Sequence, residues 1–199
     1  MSDAFERFLK SNFFGNPYNA WHDGLDTPTL TALQGDERAK AEEMLLKMLP
    51  DNRAVVGLGE IRSEKAIKPL RKLIHDPHMS TEAAVALHQI NGDASGLDSI
   101  IRTLKDRGKF WSARMDAAMA LRGFQSKAAI LALFDALDDP EMLVRYHATN
   151  SLLSLYKQVT RDDPARLEFS STGVAGEQQR AAVLDAFRHM VNEGKLDEL

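Results

Sequence analysis

The chain has 199 residues, of which 44% are hydrophobic and 27% charged, with a formal net charge of −4. That length holds one sizeable core or a short repeat array, and the composition excludes a disordered chain. The acidic balance repels phosphate backbones and anionic membranes unless a local basic patch intervenes, and the lack of cysteine excludes disulfides, thiol catalysis and cysteine-ligated zinc.

The first ten residues carry acids and no unbroken apolar run, so no secretory leader is expected, and no stretch approaches the ~20 apolar residues of a membrane span. The expected compartment is the cytoplasm. Six of the fourteen aromatic residues fall within the first 21: Phe5, Phe8, Phe13, Phe14, Tyr18 and Trp21. Phe5, Phe8 and Leu9 share a helical face, and Gly15-Asn16-Pro17 forces a turn. The rings either cap the apolar end of the remaining chain or form an aromatic docking site, with Trp21 and Trp111 as candidate contacts.

Thr27-Pro28 predicts an N-cap with proline at the first helical position, opening a short helix to Leu33. Asp36 to Leu49 reads as a longer helix with Ala41, Met44, Leu45, Met48 and Leu49 inward, stopped by Pro50. Four segments then superpose without gaps, beginning at Ala54, Ala83, Ala117 and Ala148. Leu58, Leu87, Leu121 and Leu152 come four residues later, and Ile61, Ile90, Phe124 and Leu155 three after that. An i, i+4, i+7 series is one face of a helix. Gly57, Ala86, Ala120 and Ser151 form a column of small residues that would admit a neighbouring helix closely.

Each of the first three segments is succeeded by a turn and a second amphipathic helix. The inward positions are Ile67, Leu70, Leu73 and Ile74 in the first, and Leu97, Ile100, Ile101 and Leu104 in the second. The third uses Ile130, Leu133 and Leu137. Asp76-Pro77 and Asp139-Pro140 stop the chain where second helices should end. A non-periodic stretch from Val159 to Gly176 precedes a last helix, Glu177 to about Asn192, with Val183, Phe187, Met190 and Val191 on one face.

Asp139-Pro140, Val144-Arg145, Ala148 and Leu152, with Ala113-Arg114 and Ala117 in the unit before, resemble the short bacterial HEAT repeat. Asp51 and Ser80 stand where the arginine belongs in the first two units, so an arginine ladder would be partial. The resemblance covers about residues 36 to 157. It implies a right-handed α-solenoid of helical hairpins with atypical terminal caps, all within one domain: a cap at 1–35, repeats at 36–157, a loop at 158–176 and a capping helix and tail at 177–199.

Reactive constellations are sparse. The six histidines are scattered, and His75 and His78 flank a proline turn without a third ligand. Iron-dependent members of the HEAT group use His-Glu dipeptides, which this chain lacks. There is no glycine-rich phosphate loop with a lysine after it, and no serine in a nucleophile elbow. No cofactor or metal is expected. The expected activity is therefore non-catalytic protein binding, as an immunity protein that masks a toxin or as an adaptor. The alternative is an enzyme, or a small-molecule or DNA binder, using the concave groove as bilin lyases and alkylpurine DNA glycosylases do.

The second helices would carry the partner site. Their outward residues are Arg62, Lys65, Lys68, Arg71 and Lys72 in the first unit, then Asp98, Arg102 and Lys105, then Lys127, Asp135, Asp138 and Asp139. Such a face would run from basic to acidic, which would orient a charged protein partner and disfavours nucleic acid.

Overall fold

The regular elements among the described residues are all helical, as the 3.6-residue spacing of apolar positions dictates. The computed structural model describes residues 1–14, 24–76, 78–160 and 174–195. The Gly15-Asn16-Pro17 turn, Tyr18, Trp21, Pro77 and most of the expected loop at 158–176 lie outside them. The chain divides into two compact units, Met1–Gly96 and Leu97–Leu199.

In the first unit, α1 (Asp3–Leu9) begins at Ser2, whose hydroxyl accepts the Phe5 amide at 3.2 Å, and runs into a π-helical turn at Lys10–Phe14. Helix α2 (Thr27–Ala32) is capped one residue earlier than expected. Asp26 accepts the Thr29 amide at 3.1 Å and its hydroxyl at 2.7 Å, a carboxylate cap that puts Pro28 at the second helical position instead of the first. Next come α3 (Gly35–Met48), α4 (Asn52–Glu60), a 3₁₀ turn (Glu64–Ala66) leading into α5 (Ile67–Leu73), and α6 (Ser80–Asn91).

Phe5, Phe8, Leu30, Leu45, Leu58, Leu70 and Leu87 share one core. Each fully buried leucine or phenylalanine there contributes about 1.5–3 kcal/mol. Phe13 meets Phe8 edge-on with ring centroids 5.5 Å apart, so three of the N-terminal rings belong to this core. Phe14 alone among the described ones stands well exposed.

Ala54, Leu58 and Ile61 of α4 and its end are buried, as are Ala83 and Leu87 of α6, and the two helices pack on each other. They come close at Gly59, where a Cβ would lie 2.9 Å from the Cα of Ala86. Ala86 belongs to the small-residue column. Gly57, in the same column, instead faces Leu25, Leu30 and Leu45.

The second unit holds α7 (Leu97–Lys105), α8 (Trp111–Leu121), α9 (Lys127–Asp135) with a 3₁₀ turn at Ala136–Asp138, α10 (Met142–Thr160) and α11 (Val174–Asn192). The final helix starts three residues before the expected Glu177. Ala117, Leu121 and Phe124 from α8 and its end, and Ala148, Leu152 and Leu155 of α10, are buried. The small-residue column acts here too: the Ser151 hydroxyl donates to the Ala118 carbonyl at 2.8 Å, joining α10 to α8 through a buried hydrogen bond. Phe187 of α11 packs against Tyr156 and Phe134 at 5.5 and 5.9 Å, and Arg188 lies over the Phe134 ring at 5.0 Å. Among the described residues, no helix is long and apolar enough to cross a membrane.

Candidate functional site

Two surfaces, one in each unit, carry chemistry beyond simple packing. In the second unit the centre is an ion pair. Asp139, expected to face outward, is 1% exposed. The helical phase of α9 does not continue to it. The chain tightens into the 3₁₀ turn and then extends at Asp139 (φ −63°, ψ 139°), turning the carboxylate inward.

There Arg114 of α8 grips the carboxylate with two parallel hydrogen bonds of 3.0 Å, Nε to Oδ2 and Nη2 to Oδ1. Arg107 reaches the same Oδ2, and the Glu141 amide donates to Oδ1 at 2.9 Å. Burial pushes the Asp139 carboxyl up, but Arg114, the Glu141 amide and Arg107 together outweigh it and hold it below its ordinary value. Arg114 is raised in return, chiefly by its hydrogen bonds to Asp139. Arg145 donates instead to the carbonyls of Asp139 and Pro140, at 2.6 and 2.8 Å. These contacts tie the first turn of α8 to the entry of α10.

Around that clamped corner four large apolar side chains stand exposed among charged neighbours. Phe110 is 70% exposed, Met142 63%, Tyr146 54% and Leu143 39%. Trp111 is half-buried, with its ring 5.5 Å from that of Phe110. Met142, Leu143 and Tyr146 share the outer side of the first turns of α10, while Val144 and Ala148 take the inner side. Trp111 and Met142 are equivalent positions in the alanine–leucine register, each six residues before the column alanine. Sequence reasoning finds Trp111 but misses Met142, Leu143 and Tyr146, because apolar residues beside a core face read as core.

The first unit holds the basic candidates. Arg62, Lys65, Lys68, Arg71 and Lys72 are all exposed on and before α5. They are not an unbroken basic strip. Lys65 pairs with Glu42 at 2.6 Å and Arg71 with Asp93 at 3.1 Å. The hydrogen bond to Glu42 raises the Lys65 ammonium. Partial burial pushes the Glu42 carboxyl up, yet the bonds from Lys65 and Ser63 leave it below its usual value. Arg62, Lys68 and Lys72 have no ion-pair partner among the described residues.

Of the remaining candidates in the second unit, Lys105 and Asp135 neutralise each other at 2.8 Å. Among the described residues Arg102 reaches only the Asp98 carbonyl, at 3.4 Å, and Asp138 is exposed. Trp21 lies outside the described residues.

Arg62 is the conformational exception. It occupies the left-handed region at φ +51°. Its amide donates to the Gly59 carbonyl at 2.9 Å and the Ser63 amide to the Leu58 carbonyl at 2.9 Å, the paired bonds of a Schellman ending. That position favours glycine, and an arginine there costs about 1–2 kcal/mol of backbone strain. Arg62 stands at the rim of a groove of about 430 Å³, lined also by Gly35, Arg38, Glu42, Glu64 and Lys65.

Among the described residues no cluster of three histidine, aspartate or glutamate side chains is placed to hold a metal ion. His78 is exposed, and its backbone amide donates to Asp76 Oδ1 at 2.8 Å. No protein-family model matches the chain, and no curated protein matches it.

Proposed function

We propose that this chain is a non-catalytic protein-binding module whose helical hairpins are HEAT-like repeats stacked as a solenoid, and that the corner formed by the first turns of α8 and α10 is its docking surface. One observation carries the reading. Among the described residues seven large hydrophobic side chains stand exposed, and four of them, Phe110, Met142, Leu143 and Tyr146, come from those two turns. Scattered exposed apolar residues are ordinary, but a concentration of aromatic and methionine side chains is the composition of an interface core. The bidentate clamp beneath them favours binding with little loss of conformational freedom.

The repeat reading rests on the packing within each unit: matched alanine and leucine positions are buried in α4 and α6, and again in α8 and α10. Within this class an immunity protein and an adaptor are the two roles that fit, acting in the cytoplasm on an unidentified protein partner. The test is affinity capture from the native cell extract, with reconstitution from the purified partner afterwards. Met142→Ser with Tyr146→Ser should lose that partner, whereas Lys68→Glu with Arg71→Glu should weaken it only modestly. A partner held equally by the Met142/Tyr146 variant would remove the corner from the interface. Loss only in the lysine and arginine variant would move the interface to α5.

A further inference from the structure

The groove of the first unit has a use that protein docking at α8 and α10 does not explain. Two elements frame it. The first turn of α3 supplies Gly35 and Arg38, and the exit of α4 supplies Arg62, Glu64 and Lys65. Its volume of about 430 Å³ lies in the range of small-molecule sites.

Its charge is specific. Arg38 donates Nη2 to the Ile61 carbonyl at 2.7 Å, which anchors its guanidinium against the end of α4, and it has no ion-pair partner among the described residues. Arg62 is likewise unpaired there. Glu42 has both oxygens engaged, Oε1 by the Ser63 hydroxyl and Oε2 by Lys65, each at 2.6 Å. Arg38 and Arg62 thus line the groove without an ion-pair partner among the described residues, while the nearby Glu42 carboxylate feels the Arg38 charge without bonding to it; of the two lining carboxylates, Glu64 is the one still open to accept a hydrogen bond.

The decisive point is the cost of Arg62. Glycine would fit the left-handed position without strain, and among the described residues the Arg62 side chain contributes no hydrogen bond, ion pair or burial to the fold. A residue that strains the backbone and stabilises nothing is explained by what its side chain does at the groove.

We propose that Arg38 and Arg62, with Lys65 beside them, bind a small oxyanion, a carboxylate or phosphate ester carrying a hydroxyl or amino group that donates to Glu64. Two guanidinium forks match the planar and tetrahedral oxygen sets of these groups. Arg62 lines one end of the site, where its left-handed backbone sets the direction in which the side chain leaves the chain.

The test uses the full chain and three probes at matched ionic strength: inorganic phosphate, glycerol 3-phosphate and malate. Thermal unfolding and titration calorimetry are measured for the wild type, Arg62→Gly and Lys68→Gln. The wild type should bind at least one probe. Arg62→Gly should weaken binding by about tenfold or more, the loss of a charge-assisted hydrogen bond. Without ligand it should melt about 2–4 °C higher, because the strain is relieved. Lys68→Gln, outside the groove, should bind as the wild type does. Binding of phosphate and glycerol 3-phosphate alone identifies a phosphorylated ligand, and binding of malate alone a carboxylate. The proposal is overturned if no probe binds, if Lys68→Gln loses binding as fully as Arg62→Gly, or if Arg62→Gly is no more stable than the wild type.

Discussion

Arg114 and Asp139 lie 25 residues apart in sequence and meet through two hydrogen bonds of 3.0 Å, with side-chain exposures of 5% and 0%. Removing one partner of such a pair strands the other charge in a poorly solvated place. Asp139→Asn should therefore destabilise the second unit by about 3–5 kcal/mol. Arg107, whose side chain is 45% exposed, shares the carboxylate but remains solvated when released. Arg107→Gln should cost under about 1 kcal/mol. Urea titration monitored by circular dichroism measures both, and equal losses would show that the buried arginine has no special weight.

The same carboxylate gives a pH signature with a definite sign. Its folded value lies below the ordinary 3.8 of aspartate. In acid the unfolded chain takes up the proton first, so the stabilisation is complete above about 3.8 and is lost as the pH falls through the folded value. The stability gap between wild type and Asp139→Asn should stay constant from neutrality to about pH 5 and close below it. Asp116 works in the opposite direction, because partial burial raises its carboxyl while His147 draws it down. Protonation of Asp116 favours the fold, so Asp116→Asn should steepen the acid loss of stability. A gap for Asp139→Asn that widens on acidification would contradict the assignment of the clamp as an ion pair.

Two glycines of α4 separate close helix approach from side-chain crowding. At Gly59 an added Cβ would sit 2.9 Å from the Ala86 backbone, which α6 cannot yield without moving as a whole. At Gly57 it would meet the Cδ atoms of Leu25 and Leu45 at 2.6 and 3.0 Å, the far ends of rotatable side chains. Both changes gain about 1 kcal/mol of helix propensity. Overpacking of about 1–3 kcal/mol should outweigh that gain at Gly59, whereas Gly57→Ala should fall near neutral. Thermal melts of the two variants give the comparison, and a Gly59→Ala chain as stable as the wild type would refute the close α4–α6 contact.

Burial repeats with the helix, which makes the inward residues the most legible part of the chain. Spacing alone places Ala54, Leu58, Ala117 and Leu121 inward, and all four are buried. Asp139 escapes this logic because the 3₁₀ turn after α9 breaks the phase that spacing carries forward. Its partner Arg114 stands in the repeat motif, but spacing does not pair charges across 25 residues. The basic strip on α5 fails for a related reason: Glu42 and Asp93, which neutralise Lys65 and Arg71, lie more than 20 residues away. The α10 corner is hidden because hydrophobicity marks Met142 and Tyr146 as apolar without saying which apolar side finds a neighbour. Nor does composition show that Arg62 sits at a left-handed helix exit.

Met142 offers a chemical probe of that corner. At 63% exposed it is far more open than Met44, Met48, Met79, Met115, Met119 or Met190, all of which are half-buried. Peroxide attacks the thioether in proportion to access, and the sulfoxide turns a flexible apolar side chain polar. Mild oxidation read by peptide mass spectrometry should modify Met142 first among these seven internal methionines. The fold should be nearly unaffected, within about 0.5 kcal/mol, because the side chain stabilises little in the free protein. A bound partner should protect Met142, and prior oxidation should weaken that partner's binding, whereas Met142→Leu should bind normally and resist the effect. Rapid oxidation of Met142 in the complex would show that the partner leaves this corner open, and the interface would then have to be sought elsewhere on the chain.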